Sequence, residues 1–244
     1  MIRIIVGMLF LTTFLLISYL FFPILNRMEK TNKAKKDKIC LRVVQWGFRT
    51  ILKIAGTEVT VIGKENIPDE AALFVGNHRS FFDILLTSVQ YDKMMGFVAK
   101  DGTKKVPSLN VWMQHIYCLF LNREDPREGL KVILQAIDYV KAGISIFIFP
   151  EGTRNKGEEL SMLPFKEGSF KIATKSGCPI VPVSINNSAE IFENHFPLLK
   201  KTHVIIEYGK PIYPKELSRD ELKGIGAKCQ AIIRDTINKN AKLV

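Results

Sequence analysis

From residue 57 onward the chain alternates short β-branched runs with stretches of helical character, and that alternation restricts the folds open to it. Strands are predicted at Glu58–Ile62, Ala72–Val75, Gly96–Ala99, Cys118–Leu121, Ile144–Phe149, Ile180–Ile185 and His203–Tyr208. Helices are predicted over Phe81–Val89, Pro107–His115, Pro126–Ala142, Glu167–Ser176 and Lys215–Asn240, with Pro126 suited to a first turn and Gly143 to a stop. Strands joined through helices give an α/β fold with a largely parallel central sheet flanked by helices. Ligands of such sheets gather beyond the carboxyl ends of the strands.

Ahead of this lies a segment of another kind. Ile4 to Leu25 carries no charge and, as one continuous helix, would run roughly 33 Å, the scale of a hydrocarbon core or of deep insertion in one leaflet. It is too long for a signal-peptide apolar region and lacks a small-residue cleavage site, so it is expected to be retained. Arg27, Lys30, Lys33, Lys35, Lys36 and Lys38 follow directly, which places the rest of the chain on the cytoplasmic side of the cell membrane. Lys38, Arg42, Gln45, Arg49 and Lys53 then recur every three or four residues opposite a wide apolar face. That is the pattern of an interfacial helix, or of one docked on the globular domain. Two units are expected, 1–56 as membrane-anchoring helices and 57–244 as the α/β domain.

The distribution of charge argues for a lipid surface over nucleic acid. Of the formal +11 of this 244-residue chain, +8 falls within residues 1–53. The remainder is mildly basic and has no interleaving of arginine with aromatics, so nucleic acid is not an expected partner. Cys40, Cys118, Cys178 and Cys229 show no ligand spacing and are read as buried thiols.

Two short blocks carry chemistry. Asn77-His78-Arg79-Ser80-Phe81-Phe82-Asp83 follows the second strand. Residues five apart on one helix point away from each other, so His78 and Asp83 can meet only across a bend. Ser80 as N-cap with Asp83 at N3 would supply that bend. Asp83 would then set the His78 tautomer, and His78 would take the proton of an attacking alcohol. The plainer alternative is that Asp83 only caps and His78 only bonds backbone. No Gly-x-Ser-x-Gly elbow is present, which favours direct attack by a substrate hydroxyl over an acyl-enzyme.

The second block, Phe149-Pro150-Glu151-Gly152-Thr153-Arg154, follows an apolar run of central-strand type. Gly152 permits a turn with Glu151 and Arg154 at its mouth, Arg154 suited to a phosphate and Glu151 to a polyol hydroxyl. Arg123, after the fourth strand, and Lys166, before a helix, are candidates to join Arg154 in one anion pocket. The plainer alternative here is a surface turn with a Glu–Arg ion pair.

Four blocks in this order resemble the glycerolipid acyltransferase family, which includes bacterial 1-acylglycerol-3-phosphate acyltransferases. They are Asn77-His78 with Asp83, the apolar run ending in Arg123, Phe149–Arg154, and Ile180-Val181-Pro182-Val183-Ser184. The resemblance implies His78 as general base with Asp83 as its partner. It implies acceptor binding by Arg123, Glu151, Gly152 and Arg154, to which Thr153 of the same block and Lys166 are added, and a pocket wall at Val181–Pro182. Asn155 stands where the family often has Ser, and Asn110 where a Gly commonly follows Pro107.

The implied activity moves a fatty acyl group from acyl-CoA or acyl-carrier protein to the sn-2 hydroxyl of lysophosphatidic acid, with membrane lipid as a partner and neither metal nor cofactor required. Alternatives are the same chemistry on glycerol-3-phosphate or another lysolipid, a thioesterase, or a non-catalytic protein binding anionic lipid.

Overall fold

The computed structural model describes residues 1–122 and 125–244. Three helices open the chain, α1 (Ile2–Ser18), α2 (Phe22–Thr31) and α3 (Lys33–Ala55). Strand β1 (Glu58–Ile62), β2 (Leu73–Gly76), helix α4 (Phe82–Ser88), β3 (Met95–Lys100), α5 (Pro107–His115), β4 (Leu119–Leu121), α6 (Pro126–Lys141) and β5 (Ser145–Ile148) follow. The chain ends with α7 (Lys171–Ser176), β6 (Ile180–Asn186), β7 (His203–Tyr208), α8 (Arg219–Lys223) and α9 (Ile225–Asn240). All seven predicted strands form, each within two residues of its expected bounds.

The strands make one sheet in the order β1-β7-β6-β2-β5-β3-β4. Every pairing is parallel except β6 with β7. β2 lies at the centre between β5 and β6, with Val75 beside both Ile148 and Pro182. The loops leaving β2 and β5 therefore emerge side by side, although about seventy residues of chain separate them.

Side chains of successive strand residues enter opposite layers. Phe74, Phe97 and Phe147 face a core shared with Cys40, Val44 and Leu52 of α3 and with Phe22 and Leu25 of α2. Leu73, Val75, Ile146 and Ile148 face the other core, with Val132 and Ala136 of α6 and Cys229, Ile233 and Ile237 of α9. All four cysteines are free and buried.

Three local expectations give way. The apolar run 4–25 is not one helix: α1 stops at Ser18, and α2 restarts at an angle of 56°. Pro23, at the first turn of α2, is the reason, since proline offers no N–H to continue a helix and disfavours helical backbone before it. Among the described residues no single helix is long and apolar enough to cross a membrane, although the bent pair α1–α2 meets that test by length and composition. Much of α1 stays exposed all the same, including Ile2, Ile5, Met8, Leu9 and Leu16.

On α3, Lys38, Arg42, Arg49 and Lys53 are exposed as predicted, but Gln45 is buried and donates to the Ser88 and Tyr91 carbonyls, each at 2.8 Å. It ties α3 to the end of α4. The C-terminal helix expected over 215–240 is divided by Gly224, and a capping box of Ser218 with Glu221 starts its short first piece.

Candidate active site

The first block leaves β2 tightly held. The Asn77 amide donates to the Ile185 carbonyl at 2.9 Å and accepts from the Ile185 N–H at 2.8 Å, extending the sheet's hydrogen bonding to β6 by one side chain. His78 comes next, in a bend before α4. Its Nδ1 lies 2.8 Å from Asp83 Oδ2. The same oxygen accepts the N–H groups of Arg79 and Ser80, also at 2.8 Å. Capping and pairing are thus done by one carboxylate oxygen, so Asp83 does not only cap.

The cap differs in detail from the one expected. α4 begins at Phe82, and the Ser80 hydroxyl accepts from the Phe82 N–H at 3.0 Å in place of the N–H of Asp83. Asp83 is fully buried, whereas the His78 side chain is 15% exposed. Its ring stacks on Phe149 with centroids 4.1 Å apart. Nε2 has no hydrogen-bond partner among the described residues, so the imidazole is oriented on one side and open on the other.

The second block leaves β5 beside it. Glu151 does not stand at the mouth of the turn facing a substrate hydroxyl. It is buried, with Oε1 accepting the His78 N–H at 2.7 Å and Oε2 the Leu163 N–H at 2.8 Å. Burial raises its pKa, the two backbone donors opposing that shift only in part. Glu151 therefore braces the backbone of the histidine. Asn155 adds a second brace, its N–H donating to the His78 carbonyl at 2.7 Å.

Gly152 adopts φ of 75°, and a β-carbon there would lie 2.8 Å from Lys166 Nζ. The lysine crosses the turn where only glycine leaves room. Arg154 Nη1 donates to Glu193 Oε1 at 3.0 Å, and its guanidinium lies 3.6 Å over the Phe81 ring. Thr153 is exposed on the turn between them.

Of the three cations expected in one anion pocket, Arg154 and Lys166 line different cavities. Lys166 and Gly152 line an apolar cleft of about 210 Å³ with Val98, Leu121, Ile148 and Phe149. Arg154 lines a different cavity of about 460 Å³ with Arg79, Phe81, Lys156 and Phe196. Arg123, the third cation, lies outside the described residues. Val181 and Pro182 are buried in the sheet, Val181 within the core.

Two participants escaped sequence reasoning. Buried Arg79 donates to the carbonyls of Gly157 at 2.8 Å and Glu158 at 2.7 Å, and pairs with Glu159 at 2.9 Å, fastening the 157–159 loop beside the histidine. Glu193 bonds Arg154, Ser80 and Phe81 together. It sits in a short 3-10 turn, Glu193–His195, with no motif around it. Only the arginine within the first block could have hinted at the former, and nothing at the latter.

An acyltransferase family model matches residues 58–186, which contain both blocks. The 1-acyl-sn-glycerol-3-phosphate acyltransferase of Borreliella burgdorferi is 30% identical over 208 residues, covering 85% of this chain and 78% of the relative. The protein of that name from Saccharomyces cerevisiae is 29% identical over 79% of this chain, and a chloroplastic one from Brassica napus 34% identical over 69%. The matched region spans 64% and 48% of the lengths of those two relatives. The crystal structure of the 1-acyl-sn-glycerophosphate (LPA) acyltransferase PlsC from Thermotoga maritima superposes with a TM-score of 0.77 at 25% identity, covering 97% of both chains. With more than half of its length matched by the family model and its sheet shared with a solved member, this chain belongs to the acyltransferase family.

Proposed function

We propose that the chain transfers a fatty acyl group from an acyl thioester, carried by coenzyme A or acyl-carrier protein, to the sn-2 hydroxyl of 1-acylglycerol-3-phosphate, giving phosphatidic acid. The observation that carries this reading is the His78–Asp83 pair at 2.8 Å with the other imidazole nitrogen open. With Asp83 accepting the Nδ1 proton, Nε2 holds the lone pair and takes the proton of the acceptor hydroxyl. The oxygen attacks the thioester carbonyl, and the tetrahedral intermediate collapses with loss of the thiolate. That thiolate recovers the proton from His78. The hydrogen bond that Nδ1–H donates to Asp83 and the stacked Phe149 ring hold the imidazole in one orientation through both transfers.

In this reading Arg154 binds the acceptor phosphate, with Arg123 and Lys166 as further phosphate-binding cations. The apolar cleft beside Phe149 suits hydrocarbon, and Gly152 and Thr153 shape the turn between the two cavities. The exposed apolar residues of α1, with the basic residues that follow on α2 and α3, fit attachment to the cytoplasmic face of the cell membrane.

The test is an in vitro transfer assay with the purified chain, lysophosphatidic acid or glycerol-3-phosphate as acceptor, and each thioester donor. Phosphatidic acid formation that disappears in His78→Ala is the expected result. Free fatty acid released without an acceptor, or acylation of glycerol-3-phosphate alone, overturns it.

A further inference from the structure

Arg154 is not alone at its end of the site. Glu193 lies 39 residues further along the chain, beyond β6, and contributes both oxygens. Oε1 accepts from Arg154 Nη1 at 3.0 Å and from the Phe81 N–H at 2.8 Å. Oε2 accepts from the Ser80 hydroxyl at 2.6 Å. One carboxylate thus joins the segment between His78 and Asp83 to the end of the second block. The Arg154 guanidinium carbon lies 3.6 Å from the ring centre of Phe81, the residue whose N–H the same carboxylate holds. Phe81 itself is 55% exposed at the mouth of the cavity. Arg154 is thus held at Nη1 and over the Phe81 ring, and it lines a cavity together with Arg79, Lys156 and Phe196.

We propose that Glu193 is a positioning residue that holds Arg154 in the pose met by the acceptor phosphate and, through its own negative charge, limits how tightly that phosphate is bound. The inference rests on the reading of Arg154 as the phosphate-binding residue. An arginine left free would spread over many rotamers and pay their entropy on binding; the carboxylate removes that cost in advance. The same carboxylate is a like charge beside an incoming phosphate and weakens its hold on the guanidinium. A product that carries the same phosphate has to leave, so moderated affinity serves turnover.

The two effects separate in Glu193→Gln. Glutamine can accept from Phe81 and Arg154 through its carbonyl oxygen and donate to the Ser80 oxygen, so the bracing persists while the charge is lost. The expected result, in detergent mixed micelles with the full chain, is a fall of roughly 3- to 10-fold in acceptor KM and little change in kcat. The fall should grow from pH 5.5 to pH 8, as a phosphomonoester loses its second proton at about pH 6 and the repulsion it escapes increases. A purely structural role predicts a lower melting temperature and a lower kcat with no fall in KM.

Arg154→Ala, or Arg154→Lys where alanine leaves too little activity to assay, is measured in parallel. If the arginine variant raises acceptor KM but Glu193→Gln leaves it unchanged or higher, the Glu193 inference is overturned and the reading of Arg154 stands. If the arginine variant leaves acceptor KM within about twofold, the phosphate reading fails, and the role given to Glu193 fails with it.

Discussion

Two charge networks, each built on a buried ionisable side chain, lie on this molecule, and they are wired to different ends. Around His78, the buried Asp83 and Glu151 carboxylates take backbone N–H groups and leave one imidazole nitrogen without a partner among the described residues. Around Lys36, an ammonium only 2% exposed lies 2.6 Å from both Glu29 and Asp37, and the Tyr117 hydroxyl donates to Asp37 at 2.8 Å. Lys36 also sits 5.2 Å over the Tyr117 ring. In the second network the charges satisfy one another, and what they join is α2 and α3 to the turn before β4. Burial costs charge in both places. Closing all the contacts yields a structural pin, whereas leaving one edge open gives His78 the free nitrogen that the proposed proton transfer uses.

Substitutions should part the two networks cleanly. His78→Ala is expected to lower acyl transfer by roughly 10²- to 10⁴-fold with an unchanged melting curve, measured by product formation and by circular dichroism. Lys36→Met should do the reverse. Removing the cation leaves two part-exposed carboxylates without their partner, at a cost of about 1–2 kcal/mol in urea unfolding, while kcat per folded molecule holds. A large loss of kcat in folded Lys36→Met would dissolve the distinction.

Glu151→Gln stands between them, because it brings an amide N–H against one of two backbone donors. A loss of about 1–3 kcal/mol together with a fall in kcat is expected. It also carries a pH signature. Burial raises the Glu151 pKa above its ordinary 4.5, so the folded state holds that proton more firmly than the unfolded chain. The resulting stability is fully present below pH 4.5 and is lost as pH rises through the elevated folded value. The difference in stability between wild type and Glu151→Gln, followed across that window, should show this slope in the wild type alone.

Among the substitutions at the site, Gly152→Ala has the smallest expected effect. Its φ of 75° and the nearby Lys166 Nζ predict a loss of about 1–2 kcal/mol and a modest rise in acceptor KM as the lysine tip moves aside. A larger effect would show that the lysine is held more firmly than its flexible stem suggests.

How much of this was legible depends on whether the signal was local. The strands were readable because each carries its own β-branched run, and the meeting of His78 with Asp83 was readable because the bend lies within six residues. Gln45 and Lys36, expected on the polar stripe and in the basic flank, are both buried. Helical spacing tells which residues share a face but not what covers that face, and here α4 and Tyr117 do. The break before α2 was available in Pro23 and outweighs the apolar run around it. Glu193 offered no signal, since its three partners lie in segments far from it in the chain.

The sequence alone thus determined the alternation of strands and helices, the pairing of an imidazole with a carboxylate, and the placing of two reactive blocks at strand ends. Those follow from backbone preference, period and short-range reach. The sheet order decided the rest. With β2 between β5 and β6, the two blocks became neighbours, Glu151 turned inward to the His78 backbone, Arg154 and Lys166 parted into separate cavities, and Glu193 came to lie against Arg154. Strand order arises from packing two apolar faces at once, a property of the whole chain that no short segment encodes.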